Sequence, residues 1–245
     1  MNSPARSSFQ RKAAQALRPA AGPRTPAAPA MAEGDAGAAE HALLMAALGQ
    51  DLRELQSIQS VERKIEAKRT KIARYLPWIE GQLAAETPVQ DELVATMAVW
   101  AIDVADWSLA LRLAAHVLAH GLALPERYKR QPATLFAEEF AEAGLATVPA
   151  VDLATLQQVA SLTAGHDMHD QVRAKLHKAL GLALKHQADV FDPEAESAPA
   201  GGKPALIDAA LAQLETALRL DPRSGVKKLI EGLERERKRL AEQAV

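Results

Sequence analysis

The chain contains no cysteine, which excludes a disulfide framework, a thiol nucleophile and a cysteine-ligated zinc site, and suits a reducing cytoplasm. Aromatic residues make up 4% of it. No run alternates β-branched or aromatic residues with polar ones, so a sheet has nothing to build on. No apolar run approaches the ~18 residues that a membrane span needs. The N-terminus has arginines but no apolar segment, so no secretory signal is expected there. Five prolines (Pro4, Pro19, Pro23, Pro26 and Pro29) would break the amphipathic helix of an organellar transit peptide. There is no glycine-rich phosphate loop, so ATP hydrolysis is not expected, and no serine stands in a nucleophile-elbow context. What the chain does have is Ala and Leu, with Glu, Lys, Gln and Arg, the strongest helix formers. An all-α fold follows, and 245 residues suffice for one or two domains with a sizeable core.

The net charge of −2 implies no partner, but its distribution does. Residues 1–32 hold five basic residues and no acidic one. Arg63, Lys64, Lys68, Arg69, Lys71 and Arg74 crowd into one short stretch against Glu66 alone. The flanking body is acidic, and the end of the chain returns to net positive. A near-neutral total therefore hides basic ends and one basic internal block.

Four regions are expected. Residues 1–36 read as a disordered basic arm, either a flexible tail or an arm lying on DNA phosphates. Residues 37–75 read as a long amphipathic and basic helix from about Ala38 to Arg74. Its Leu44, Leu48, Leu52, Leu55, Ile58, Ile65 and Ile72 share a face. Several fall on a seven-residue repeat that would suit a coiled coil, although Asp51, Glu62 and Arg69 interrupt the seam. The alternative is an amphipathic helix packed on its own domain. Residues 76–165 read as a helical core, with Pro77 allowing a fresh start, Pro88 near a first turn and Asp106 as an N-cap. Residues 166–245 read as a helical hairpin with a capping helix, interrupted by a low-complexity insert from Phe191 to Pro204. Leu180-Gly181-x-x-Leu184, then Ala210, Leu214, Ala217 and Pro222, follow the spacing of one tetratricopeptide unit.

The block at 63–74 is the leading candidate for DNA contact, because clustered cations suffice to hold phosphates. Tyr75 and Trp78 follow it and could pack against sugar or base. Arg127, Lys129 and Arg130 form a second candidate cluster. The C-terminal run from Lys227 to Arg239 interleaves bases with acids and reads more as an ion-paired exposed helix. No catalytic or metal-binding residue is assigned. His116 and His120 share a helix face without the Glu of a zinc peptidase motif, and read as partly exposed helix histidines. His166-Asp167-Met168-His169-Asp170 could ligate a divalent ion, but also makes a good helix start. Glu62-Arg63-Lys64 and Glu66-Ala67-Lys68 match the acid-x-Lys half of a Mg²⁺-dependent nuclease site, which needs a strand. Here they fall in a polar helix.

Several stretches in order carry a family likeness. They are Leu76-Pro77-Trp78-Ile79, Gln90-Asp91-Glu92-Leu93 with Trp100, and Ala110-Leu111 leading to His120-Gly121-Leu122 and Pro125. Val172-Arg173-Ala174-Lys175-Leu176-His177-Lys178 and Gly225-Val226-Lys227-Lys228 complete the series. Over about residues 40–240 the chain resembles the small terminase subunit of P2-like tailed phages, also labelled the terminase endonuclease subunit. The resemblance implies recognition of double-stranded phage DNA at the cohesive-end packaging site in the host cytoplasm. It implies a large ATPase-bearing terminase subunit as partner, and self-assembly, in many such subunits as a ring. No cofactor is implied unless the endonuclease label holds, in which case Mg²⁺ would enter. The chain departs from the pattern in a longer 191–204 insert and in ending without an extended basic tail.

Overall fold

The computed structural model describes residues 33–85, 90–193 and 201–243; residues 1–32 of the basic arm, Pro88 and half of the low-complexity insert lie outside them. Among the described residues every regular element is a helix: α1 (Glu33–Ser57), α2 (Val61–Ala84), α3 (Glu92–Asp103), α4 (Trp107–Ala119), α5 (Pro132–Leu145), α6 (Leu153–Thr163), α7 (Asp170–Asp189), α8 (Gly202–Leu220) and α9 (Lys227–Gln243). The chain divides into two units, Met1–Leu43 and Leu44–Val245. In the first, the described residues are the opening turns of α1.

Where one helix is expected from Ala38 to Arg74, two form. The cause is Ser60, whose extended backbone leaves the helix and whose hydroxyl accepts from the Arg63 amide. That bond satisfies one of the orphan amides of a new helix start. Pro77, expected to open a helix, instead lies inside α2. Pro77 and Ala73, whose carbonyl it leaves without a helical donor, are both exposed, so water can take that bond. The opposite face of α2 is held by Ile72, Tyr75 and Ile79, all buried.

The later starts follow side-chain chemistry. Asp91 caps α3 through the Leu93 and Val94 amides, Asp106 caps α4 through Leu109, and Asp152 caps α6 through Thr155. Gln131 and His169 hold the N-cap positions of α5 and α7 without a side-chain cap bond. Helices α3 and α4 both stop with paired bonds around a left-handed residue. Asp106 N–H reaches the Ala101 carbonyl around Ala105 (φ 58°), and Leu122 N–H reaches Val117 around Gly121 (φ 61°). Glycine is the usual occupant of such a cap; at the first of these stops the chain tolerates alanine.

Helix α3 is the centre of the main core, with every residue from Leu93 to Ile102 buried. Trp100 meets Tyr75 of α2 edge-on at 6.3 Å, and Trp107 meets Phe140 of α5 at 5.2 Å. Leu48, Leu55 and Ile72, part of the expected coiled-coil seam, are buried in this core. A second apolar cluster joins Leu184 of α7, Ile207, Leu211 and Leu214 of α8, and Val226, Ile230 and Leu233 around α9. Helices α7 and α8 form the expected close hairpin. They cross so tightly at Gly181 that a Cβ there would lie 2.6 Å from Leu214 Cγ and 3.3 Å from the Ala210 carbonyl oxygen.

Candidate nucleic-acid interface

The nine candidate cations divide by what already holds them. Lys71 is mostly buried and donates to Asp51 and Glu54 of α1, each at 2.7 Å. Hydrogen bonds to Asp51, then to Glu54, hold its ammonium above the ordinary 10.5 against the opposing effect of burial. Asp51 itself is 3% exposed and also accepts from the Tyr75 hydroxyl at 2.5 Å, with Arg74 at 3.6 Å. Burial first, then the bond to Asp51, pushes the Tyr75 hydroxyl far above its usual value of 10.0. Lys68 pairs with Asp103 at the last turn of α3, and Arg69 pairs with Glu66 at 2.6 Å and reaches the Val104 carbonyl. Asp51, the acid that interrupts the heptad seam, is thus the anchor that joins α1 to α2.

The second cluster behaves alike. Arg127 pairs with Glu92 at 2.8 Å, reaches the Thr96 hydroxyl, and lies 5.1 Å over the Tyr128 ring. Arg130 pairs with Glu138 at 2.5 Å, with Glu139 at 3.8 Å. Glu139 is raised above the usual carboxyl value by burial and by the neighbouring Glu142, with Arg130 opposing. Gln90 locks the loop before this cluster by a two-way bond with the Ala123 backbone, donating at 3.0 Å and accepting at 2.8 Å. Arg63, Lys64 and Lys129 form no ion pair among the described residues.

The two clusters do not merge. One is tied to Asp103 at the end of α3 and the other to Glu92 at its start, which at 1.5 Å per residue are roughly 16 Å apart along the axis. Tyr75 is fully buried, so it cannot stack on sugar or base. Trp78 is half-buried and donates through Nε1 to Asp91 at 2.7 Å. The acids that claim Lys68, Lys71 and Arg127 stand seventeen to thirty-five residues away in sequence, which is why the charge pattern alone leaves these cations looking free.

The remaining motifs find ordinary places. His116 is buried rather than partly exposed, and its ring meets His120 at 4.7 Å. Burial, then the neighbouring His120, lowers its pKa from 6.5, with Asp91 opposing. His169 opens α7. Glu62, Lys64, Glu66 and Lys68 all lie on α2, and among the described residues no three acids or histidines gather as metal ligands.

Comparison with known proteins returns one consistent picture. A family model described as phage small terminase subunit matches residues 45–171. The "Terminase, endonuclease subunit" of Escherichia phage P2 is 38% identical over 198 residues, covering 80% of this chain and 73% of that protein. No solved structure matches.

Proposed function

Because this chain belongs to the phage small terminase subunit family, we propose that it binds viral DNA at the packaging site and hands it to a large, ATPase-bearing terminase subunit. The host cytoplasm is the place this work requires, and no described helix is long and apolar enough to cross a membrane.

The observation that carries DNA contact is the three cations that no acid among the described residues claims, Arg63 and Lys64 in the first turn of α2 and Lys129 beside Arg127 and Arg130. Behind them stand exchangeable pairs. Arg69, Arg74 and Arg130 are each more than half exposed. Such surface pairs contribute under about 1 kcal/mol and can trade a carboxylate for a phosphate. Arg127 is less exposed, at 32%. Lys68 and Lys71 are 18% and 13% exposed and serve mainly to hold α2 to its neighbours. If the chain assembles into a ring, the contact uses a face other than the Leu48, Leu55 and Ile72 seam, since its own core occupies that seam.

The test is a salt series. An Arg63/Lys64/Lys129→Ala variant should bind duplex DNA more weakly, with a log K against log salt slope shallower by about one unit for each phosphate no longer engaged. Unchanged affinity and slope would leave these cations as a solvated face. Including Mg²⁺ and cohesive-end DNA in the same samples reads out nicking directly.

A further inference from the structure

We propose that the turn joining α8 to α9, with Lys178 of α7 tied to it, is a second site for the phosphodiester backbone of duplex DNA. This inference rests on the DNA-binding reading above and extends it to a part of the chain that the family model does not reach.

Ion pairing sorts the C-terminal cations into two groups. Toward the end of α9, Arg237 pairs with Asp208 at 3.4 Å, and Glu236 takes both Arg239 at 3.9 Å and Lys203 of α8 at 2.7 Å. Arg235 Nε donates to the Glu231 carbonyl. That half is the ion-paired helix the sequence suggests. At the start of α9 the pattern reverses. Arg219, Arg223, Lys227 and Lys228 are all exposed, and among the described residues none of them forms an ion pair. Lys178 joins them from α7, donating to the Ser224 carbonyl at 2.8 Å, and its charge is likewise unmatched by a described carboxylate. Four of these cations thus fall within ten residues of chain around one turn, and the bond to Ser224 brings Lys178 to it.

The turn is built to hold them. Asp221 accepts the Arg223 amide at 2.9 Å through its carboxylate and the Ser224 amide at 3.0 Å through its carbonyl. One oxygen of its carboxylate is thereby held by the turn's own backbone, and it forms no ion pair with the cations beside it. Gly225 takes φ 77°, which turns the chain into α9. The Ser224 hydroxyl is buried and has no hydrogen-bond partner among the described residues. Helix α9 then opens with no acid in its first turn and with Lys227 and Lys228 instead. Cations there add to the positive end of the helix, which costs stability in isolation, whereas an anion at the same place meets free amides and positive charge together. Glu231 is the nearest acid on the α9 side, and it makes no pair with either lysine. A run of closely spaced phosphates fits such a surface better than a single carboxylate does, because several cations on three helices must be matched at once.

The test uses the full-length protein and a labelled duplex of about 30 base pairs, titrated across a salt series with each engaged phosphate contributing a slope of about one. The turn variant is Arg223→Ala/Lys227→Ala/Lys228→Ala. It should bind at least tenfold more weakly near ~0.1 M salt, with a slope shallower by two to three units, roughly one per cation removed. A milder Lys227→Gln/Lys228→Gln variant keeps the stems and the helix propensity, and should lose about two units of slope. Lys227→Arg/Lys228→Arg should restore wild-type binding. If both neutral variants match wild type in affinity and slope while the Arg63/Lys64/Lys129→Ala variant is impaired, the turn is no DNA site and the inference falls alone. Wild-type protein without salt-dependent binding would overturn the DNA-binding reading and this inference with it.

Discussion

Asp51 concentrates more of the structure's consequences than any other side chain. It is buried, interrupts an apolar seam, and is satisfied by Lys71, Tyr75 and Arg74 together. Asp51→Ala would leave a mostly buried ammonium with only Glu54 and a buried hydroxyl without its acceptor. It should cost about 2–4 kcal/mol in urea unfolding, and Tyr75→Phe about 1–2 kcal/mol. The same trio sets an alkaline limit. The Tyr75 and Lys71 pKa values are both raised above their ordinary 10.0 and 10.5. The folded state thus holds protons that the unfolded chain releases, and stability falls as pH rises past about 10. Tyr75→Phe should flatten that fall. His116 works in the opposite direction. Its folded pKa is lowered from 6.5 by burial and by His120, so the unfolded chain takes up a proton first and stability drops as pH falls below 6.5. His116→Leu should flatten the acid limb of the same curve. Ala105 sits at φ 58°, so Ala105→Gly should gain about 0.5–1 kcal/mol in the same melts. None of this could be read from the chain alone. The sequence shows that Asp51 breaks a heptad, and only the fold shows that a lysine and a tyrosine from the next helix close over it.

Among the elements, the helices were more legible than the breaks between them. Asp106 announces α4 because a short acidic side chain before an apolar run caps its own helix. Gly121 announces the end of α4 because glycine tolerates the left-handed stop cheaply. The break at Ser60 is not legible in the sequence because the apolar spacing continues across it, from Leu55 to Ile58 to Ile65, and periodicity cannot see a chain that leaves the helix and re-enters. Pro77 misled in the other direction. Its missing donor matters only where the orphaned carbonyl is buried, and here it faces water. The close crossing at Gly181 was legible as a small-residue position, and it makes a paired prediction. Gly181→Ala pushes a methyl into the fully buried Leu214 and should destabilise by about 1–3 kcal/mol despite the gain in helix propensity. Gly81→Ala and Gly232→Ala meet nothing within 4 Å and should each stabilise by about 0.5–1 kcal/mol. Thermal melts of the three variants side by side check both signs.

For the molecule as a whole, the charge pattern shows where cations gather, and the fold adds which of them already hold a carboxylate. The 63–74 block spends Lys68 and Lys71 on Asp103 and on Asp51 with Glu54, leaving Arg63 and Lys64 at its edge. The C-terminal run, which looked evenly ion-paired, leaves its first half open. The all-helical class and the family were both legible, the first from composition and the second from an ordered series of short motifs. Most of the pairing was not, because apart from neighbours on one helix such as Arg69 and Glu66 it joins residues brought together by packing. The proposal that this small terminase family member holds DNA through its unpaired cations turns on the salt dependence of wild-type binding to a cohesive-end duplex. Phosphate contact by those cations gives a log K against log salt slope of several negative units, about −0.9 per phosphate engaged; a slope near zero, or no binding at low salt, would rule such contact out.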